Sequence, residues 1–157
     1  MLKRPAEQLA SGAPGWKRLP NLAIAKKILD DVRAALAELA ASGRAQAVDL
    51  KQAPRMDEQT YAFLREALGY GEVTARVDAE MQVEVCETQY PGVWWTAYRN
   101  GKGEVMTEMI EITLMPKILQ PSKDDIEAGL QRWASAAAAR ETETAASGDQ
   151  RRDAEGV

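Results

Sequence analysis

The sequence has no histidine and a single cysteine, Cys86, among its 157 residues. A lone cysteine excludes an internal disulfide and suits a reducing compartment. Clustered Cys and His ligands of the zinc or iron–sulfur kind cannot be assembled from it. Catalytic Cys–His pairs and Ser–His–Asp triads are excluded for want of an imidazole. No apolar run reaches the roughly 18 residues that a membrane helix needs, and the start Met1-Leu2-Lys3-Arg4-Pro5 lacks the apolar stretch of a secretory leader. The default location is therefore the cytoplasm. Phosphate-cradling loops of the G-x-x-x-x-G-K-[ST] or G-x-G-x-x-G kind are missing, as is calcium-loop spacing. Excess positive charge is lacking too, since 20 basic residues face 24 acidic ones, which argues against a nucleic-acid binder.

What is present is an ordinary globular mixture, 45% hydrophobic and 28% charged. Residues 1–20 are broken by Pro5, Gly12, Pro14, Gly15 and Pro20 and read as a flexible arm. Residues 141–157 are almost devoid of apolar side chains and read as a disordered tail. Between them, residues 21–140 read as one domain. Asn21 caps a helix over 22–41 whose apolar face is Ile24, Ile28, Val32, Leu36 and Leu39, ended by Gly43. A short strand follows at Ala47–Leu50, closed by Pro54. Asp57 caps a second helix over 58–68 with Tyr61, Leu64 and Leu68 inward.

Alternation then marks strands at 72–78 and 82–90, the latter with Val83 and Val85 opposite Glu84 and Cys86. Pro91-Gly92 is a turn signal. Val93–Arg99 and Glu104–Leu114, joined through Asn-Gly-Lys-Gly, form an antiparallel hairpin. Ser122 caps a last helix with Ile126, Leu130, Trp133 and Ala137 as its inner stripe. The expected fold is α+β, in the order α-β-α-β-β-β-α. Its sheet is mostly antiparallel, of about four strands, with helices on one face and the other face open.

Few residues offer chemistry. Cys86 lies beside Glu87, which would raise rather than lower its pKa, so a small strand side chain is the favoured reading. Glu84, Glu87, Glu108 and Glu111 fall on strands. Two of them could perturb each other, but a solvated sheet face is the plainer account. Adjacent Trp94 and Trp95 must point to opposite faces of their strand. One joins the core. The other, beside Val93 or beside Thr96 and Tyr98 according to register, is either an exposed interface anchor or is covered by a loop or by the arm through Trp16. The candidate partner-binding residues are thus Glu87, Trp94, Trp95, Tyr98 and Glu111. No catalytic residue, cofactor or metal is expected, and the chain is read as a binding protein rather than an enzyme.

Gly71-Glu72-Val73, Glu87-Thr88-x-x-Pro91-Gly92-Val93-Trp94, Ile110-Glu111-Ile112, Pro116-x-Ile118-Leu119, Asp125-Ile126 and Gly129-Leu130 carry a resemblance. Over roughly residues 22–135 the chain resembles the C-terminal domain of hydrogenase expression/formation proteins of the HupH/HyaF type. The phrase E-T-x-x-P-G-V-W is its most specific part. Members are typically longer, with another region ahead of this domain. The resemblance implies a chaperone-like role in [NiFe] hydrogenase maturation, toward the iron–sulfur small subunit before export and joining to the large subunit. It also implies action alongside a thioredoxin-like accessory protein, and no catalytic residues. Two other classes stay open: a small-molecule-sensing or regulatory domain, and an enzyme using strand carboxylates. A homodimer through an exposed strand edge or the open face is a further option.

Overall fold

A computed structural model describes residues 19–53 and 56–153, with the backbone alone for 147–153. Pro54, Trp16 and most of the anticipated arm lie outside the described residues. The chain divides between Leu114 and Met115 into two compact units.

In the first unit, α1 spans Leu22–Ser42 and α2 spans Glu58–Leu68. Both caps form as the sequence predicts. The Asn21 side chain accepts from the Ile24 N–H, and the Asp57 side chain accepts from the Thr60 N–H. The two caps are also joined. Fully buried Thr60 donates its hydroxyl to Asp57 Oδ1 at 2.5 Å and accepts the Asn21 N–H at 2.7 Å. One hydroxyl therefore satisfies an orphan donor at one helix start while bonded to the cap of the other.

The strands are β1 (Gln46–Asp49), β2 (Thr74–Asp78), β3 (Gln82–Glu87), β4 (Val93–Arg99) and β5 (Val105–Ile112). They form one antiparallel sheet in the order β1-β5-β4-β3-β2. The four stretches between 72 and 114 each make a strand, so the sheet has five strands, one more than the anticipated order gives. Consecutive strands pair as a meander, and β1 adds to the β5 edge. At the hairpin, Asn100 Oδ1 accepts from the N–H groups of Lys102 and Glu104, which fixes the loop.

Helices α1 and α2 cover one face. Ala25, Ile28, Val32, Ala35, Leu39, Leu64 and Leu68 pack on Val93, Trp95, Ile110 and Ile112. The expectation of an open second face is not met at the centre of the sheet. Val83, Val85, Trp94 and Thr96 lie on that face and are buried. Five consecutive residues of β4, Val93 to Ala97, are buried, as in a strand enclosed on both sides. On the helix-covered face it is the β2–β3 end that is exposed, at Thr74, Arg76, Asp78, Gln82 and Glu84.

The second unit holds a single 3-10 turn, Lys117–Leu119, and α3, Lys123–Asp153. Ser122 caps α3 reciprocally: its hydroxyl accepts from the Asp125 N–H, and Asp125 Oδ2 accepts from the Ser122 N–H. The Ser122 hydroxyl, donating to Asp125 Oδ2 at 2.6 Å, and then the Ser122 N–H hold the Asp125 carboxyl below the usual carboxylate range. The helix continues past residue 140 and takes in most of the stretch expected to be a disordered tail. Its alanines, glutamates and arginines are strong helix formers, so low hydrophobicity there does not break the helix. The anticipated inner stripe of α3 is corrected. Ile126, Leu130 and Trp133 are 58%, 69% and 75% exposed.

Candidate partner-binding site

The strand register sorts the five candidate residues. Trp94 pairs with Glu87 on β3 and with Glu111 on β5, so these three form a row across the second face. Thr96 and Tyr98 follow on the same face of β4. Trp95 points the other way, into the core beneath the helices. The structure therefore brings Glu87, Trp94, Tyr98 and Glu111 together and separates Trp95 from them.

Neither tryptophan is an exposed anchor, at 4% and 3% accessibility for Trp94 and Trp95. Both rings are buried, against the exposed-anchor reading, and Trp16, the residue expected to cover one of them, lies outside the described residues. Trp94 Nε1 donates to the Thr113 carbonyl at 3.0 Å, so the buried indole has its partner. The Thr96 hydroxyl donates to Glu111 Oε1 at 2.6 Å, a short bond as expected for a charged acceptor. Glu87, Tyr98 and Glu111 are half-buried. Burial first, and then the Glu111 charge, push the Tyr98 phenol above its ordinary pKa. Glu87 has a packing role as well. Its carboxylate lies against Gly71, whose N–H donates to the Glu87 carbonyl at 2.8 Å.

The helix-covered face holds a cluster that the sequence does not announce. Tyr61 meets Trp95 edge-on, with ring centroids 5.2 Å apart. The Arg65 guanidinium lies over two rings, 4.8 Å from the Trp95 centroid and 4.3 Å from that of Tyr70. Trp95 Nε1 donates to Glu108 Oε1 at 3.2 Å. Cys86 pairs with Trp95 across the strands and is buried, in keeping with its reading as a small strand residue. Tyr61 and Arg65 stand four apart on α2, a spacing that puts them on one face. That spacing is the signal that could have found Arg65, but Glu108 and Tyr70 join only through tertiary structure.

Burial, followed by its hydrogen bond to Glu108, raises the Tyr61 phenol above the ordinary tyrosine range. The stability tied to the un-ionised phenol is present below the unfolded tyrosine pKa of about 10 and is lost as pH rises beyond it. In an absorbance titration, Tyr61 should ionise in a late alkaline phase that accompanies unfolding. The variant Tyr61→Phe should lack that phase.

On α3, Ile126, Leu130 and Trp133 recur at steps of four and three, which places them on one side of the helix. They are the largest exposed apolar residues of that helix among the described residues. No described helix is long and apolar enough to cross a membrane, and no group of three or more His, Cys, Asp or Glu among the described residues could hold a metal ion.

The family described as "HupH hydrogenase expression protein, C-terminal conserved region" matches residues 22–139. The chain is 28% identical over 107 residues to the hydrogenase expression/formation protein HupQ of Azotobacter chroococcum mcd 1, covering 68% of this chain and 37% of that protein. It is 28% identical over 117 residues to HoxQ of Azotobacter vinelandii, also a hydrogenase expression/formation protein, covering 74% and 40%. The chain thus spans about 40% of the length of these curated relatives. Among solved structures, the hydrogenase expression protein HupH from Thiobacillus denitrificans ATCC 25259 superposes with a TM-score of 0.71 at 28% identity, over 76% of this chain and 98% of that one.

Proposed function

The chain belongs to the family of the HupH hydrogenase expression protein, C-terminal conserved region, and on that footing we propose that it is a non-enzymatic accessory protein of hydrogenase maturation. Its task in this proposal is to bind the iron–sulfur small subunit of a [NiFe] hydrogenase, in the cytoplasm, before export and assembly. A thioredoxin-like accessory protein would act beside it. The observation that carries the reading is the exposed apolar stripe Ile126, Leu130 and Trp133, which lies inside the matched region. Three large apolar side chains at helical spacing are the usual anchors when a helix docks into a partner's groove. A tryptophan among them is the residue type most often found at interface hot spots. Such a surface can cover a client's apolar segment until that segment is buried elsewhere. Glu87, Tyr98 and Glu111, half-buried on the sheet face, are secondary candidates, with Trp94 as their buried support.

Pull-down with a hydrogenase small-subunit precursor tests the reading. The wild-type chain should retain the precursor. Leu130→Asp with Trp133→Asp should weaken retention at least about tenfold, the effect of truncating interface anchors. Circular dichroism should show the fold intact, since both side chains are exposed. Equal retention by the double variant would remove the α3 surface from the proposal, and no retention by the wild type would remove the client. The alternative, a small-molecule-binding domain, is favoured by one feature. An apolar hollow of about 320 Å³ is lined by Leu29, Val32, Leu36, Leu68, Tyr90 and Val93. That is the lower end of the size range of ligand pockets.

A further inference from the structure

We propose that Arg65 is the recognition group of a carboxylate-binding site that Tyr70 closes. The argument starts from what stacking does to a guanidinium. Its central carbon lies over the rings of Trp95 and Tyr70, 4.8 and 4.3 Å from their centroids. Ring faces attract the positive charge, but they accept nothing from the N–H groups, which radiate in the guanidinium plane. Arg65 Nη1 is buried and has no hydrogen-bond partner. Arg65 also takes no part in the ion pairs found among the described residues. A buried, unpaired donor on a charged group is costly and rare in folded proteins. Glu108 accepts from Trp95 Nε1 at 3.2 Å and forms no ion pair with Arg65.

The missing element is an in-plane acceptor. A carboxylate supplies two coplanar oxygens at the spacing of the guanidinium fork. One guanidinium with no ion-pair partner among the described residues, lying over neutral rings, suits a monoanion. Tyr70 provides the entrance. The residue is 70% exposed although its ring lies on Arg65, and it follows Gly69, whose φ of +63° is open to few other residues. Swinging Tyr70 aside uncovers the guanidinium while Trp95 stays fixed in the core. The carboxylate could belong to a protein chain or to a free small acid. The site shares no residue with the α3 stripe, so each proposal can fail without the other.

Isothermal titration calorimetry at constant ionic strength decides the matter, with two probes. One is sodium glutarate and the other is an eight-residue peptide ending in Glu-Glu. At least one probe should bind saturably and shift the Trp95 indole N–H resonance. Binding by the peptide alone identifies a protein source, and binding by glutarate alone a free acid. Arg65→Lys keeps the charge and loses the fork, so it should weaken binding at least about tenfold. Tyr70→Ala opens the entrance and should bind at least as tightly as wild type. The proposal is overturned if neither probe binds, if Arg65→Lys binds as well as wild type, or if Tyr70→Ala binds more weakly.

Discussion

Trp95→Ala should lower the unfolding free energy by about 4 kcal/mol, the cost of truncating a buried aromatic ring. Trp95 is 3% exposed and belongs to the cluster that joins α1, α2 and the sheet. Its removal leaves a cavity and forfeits the edge contact with Tyr61. It also strips one ring from Arg65 and the indole donor from Glu108, leaving two charged groups less well satisfied. Urea denaturation checks the number. Trp95→Phe should recover most of the loss, because it keeps the ring and gives up the Glu108 bond. A Trp95→Ala variant within 1 kcal/mol of wild type would mean that the cluster adds little to stability.

Gly71→Ala should be the most damaging of the small glycine substitutions, at about 3 kcal/mol, the upper part of the overpacking range. A Cβ at Gly71 would stand 2.5 Å from the Thr88 carbonyl oxygen and 2.9 Å from Glu87 Oε2. The first is backbone and cannot rotate away. Moving it would disturb the bond from the Thr88 N–H to the Val93 carbonyl and that from the Gly71 N–H to the Glu87 carbonyl. Gly101→Ala is the control, since a Cβ there meets nothing within 4 Å. Thermal melts of the two variants should differ by many degrees. Equal melting temperatures would show that the 88–93 turn yields readily.

Much of the first unit is legible from residue pattern. Asn21, Asp57 and Ser122 announce their helices because each supplies an acceptor to an unpaired N–H. Alternation locates the strands, and Asn100 to Gly103 marks the hairpin. The opposed tryptophans follow from the period of two. Their burial does not follow, because periodicity says which way a side chain points and not what lies over it. The same limit explains α3. A stripe at helical spacing reads as inward by default, and nothing local distinguishes a helix with a core-facing side from one with an exposed apolar side. The Arg65 cluster was out of reach for a different reason. Only Tyr61 and Arg65 are linked by a helical spacing; the other members come from the segment after α2, from β4 and from β5, and no spacing ties those to the pair.

The continuous enclosure of β4 has a consequence for how the sheet finds its alignment. Where one side of a strand is greasy and the other wet, sliding by a residue is penalised at once, since every side chain changes surroundings. In the segment Val93-Trp94-Trp95-Thr96-Ala97 a slide exchanges one dry environment for another. The hydrophobic code is therefore nearly silent there. Alignment falls to the two bends that bracket the strand: Gly92, whose carbonyl accepts from the Thr113 N–H, and Asn100, which organises the loop into β5. These bends act as the strand's rulers, and the length of the chain between them, rather than its greasiness, decides which tryptophan enters which layer.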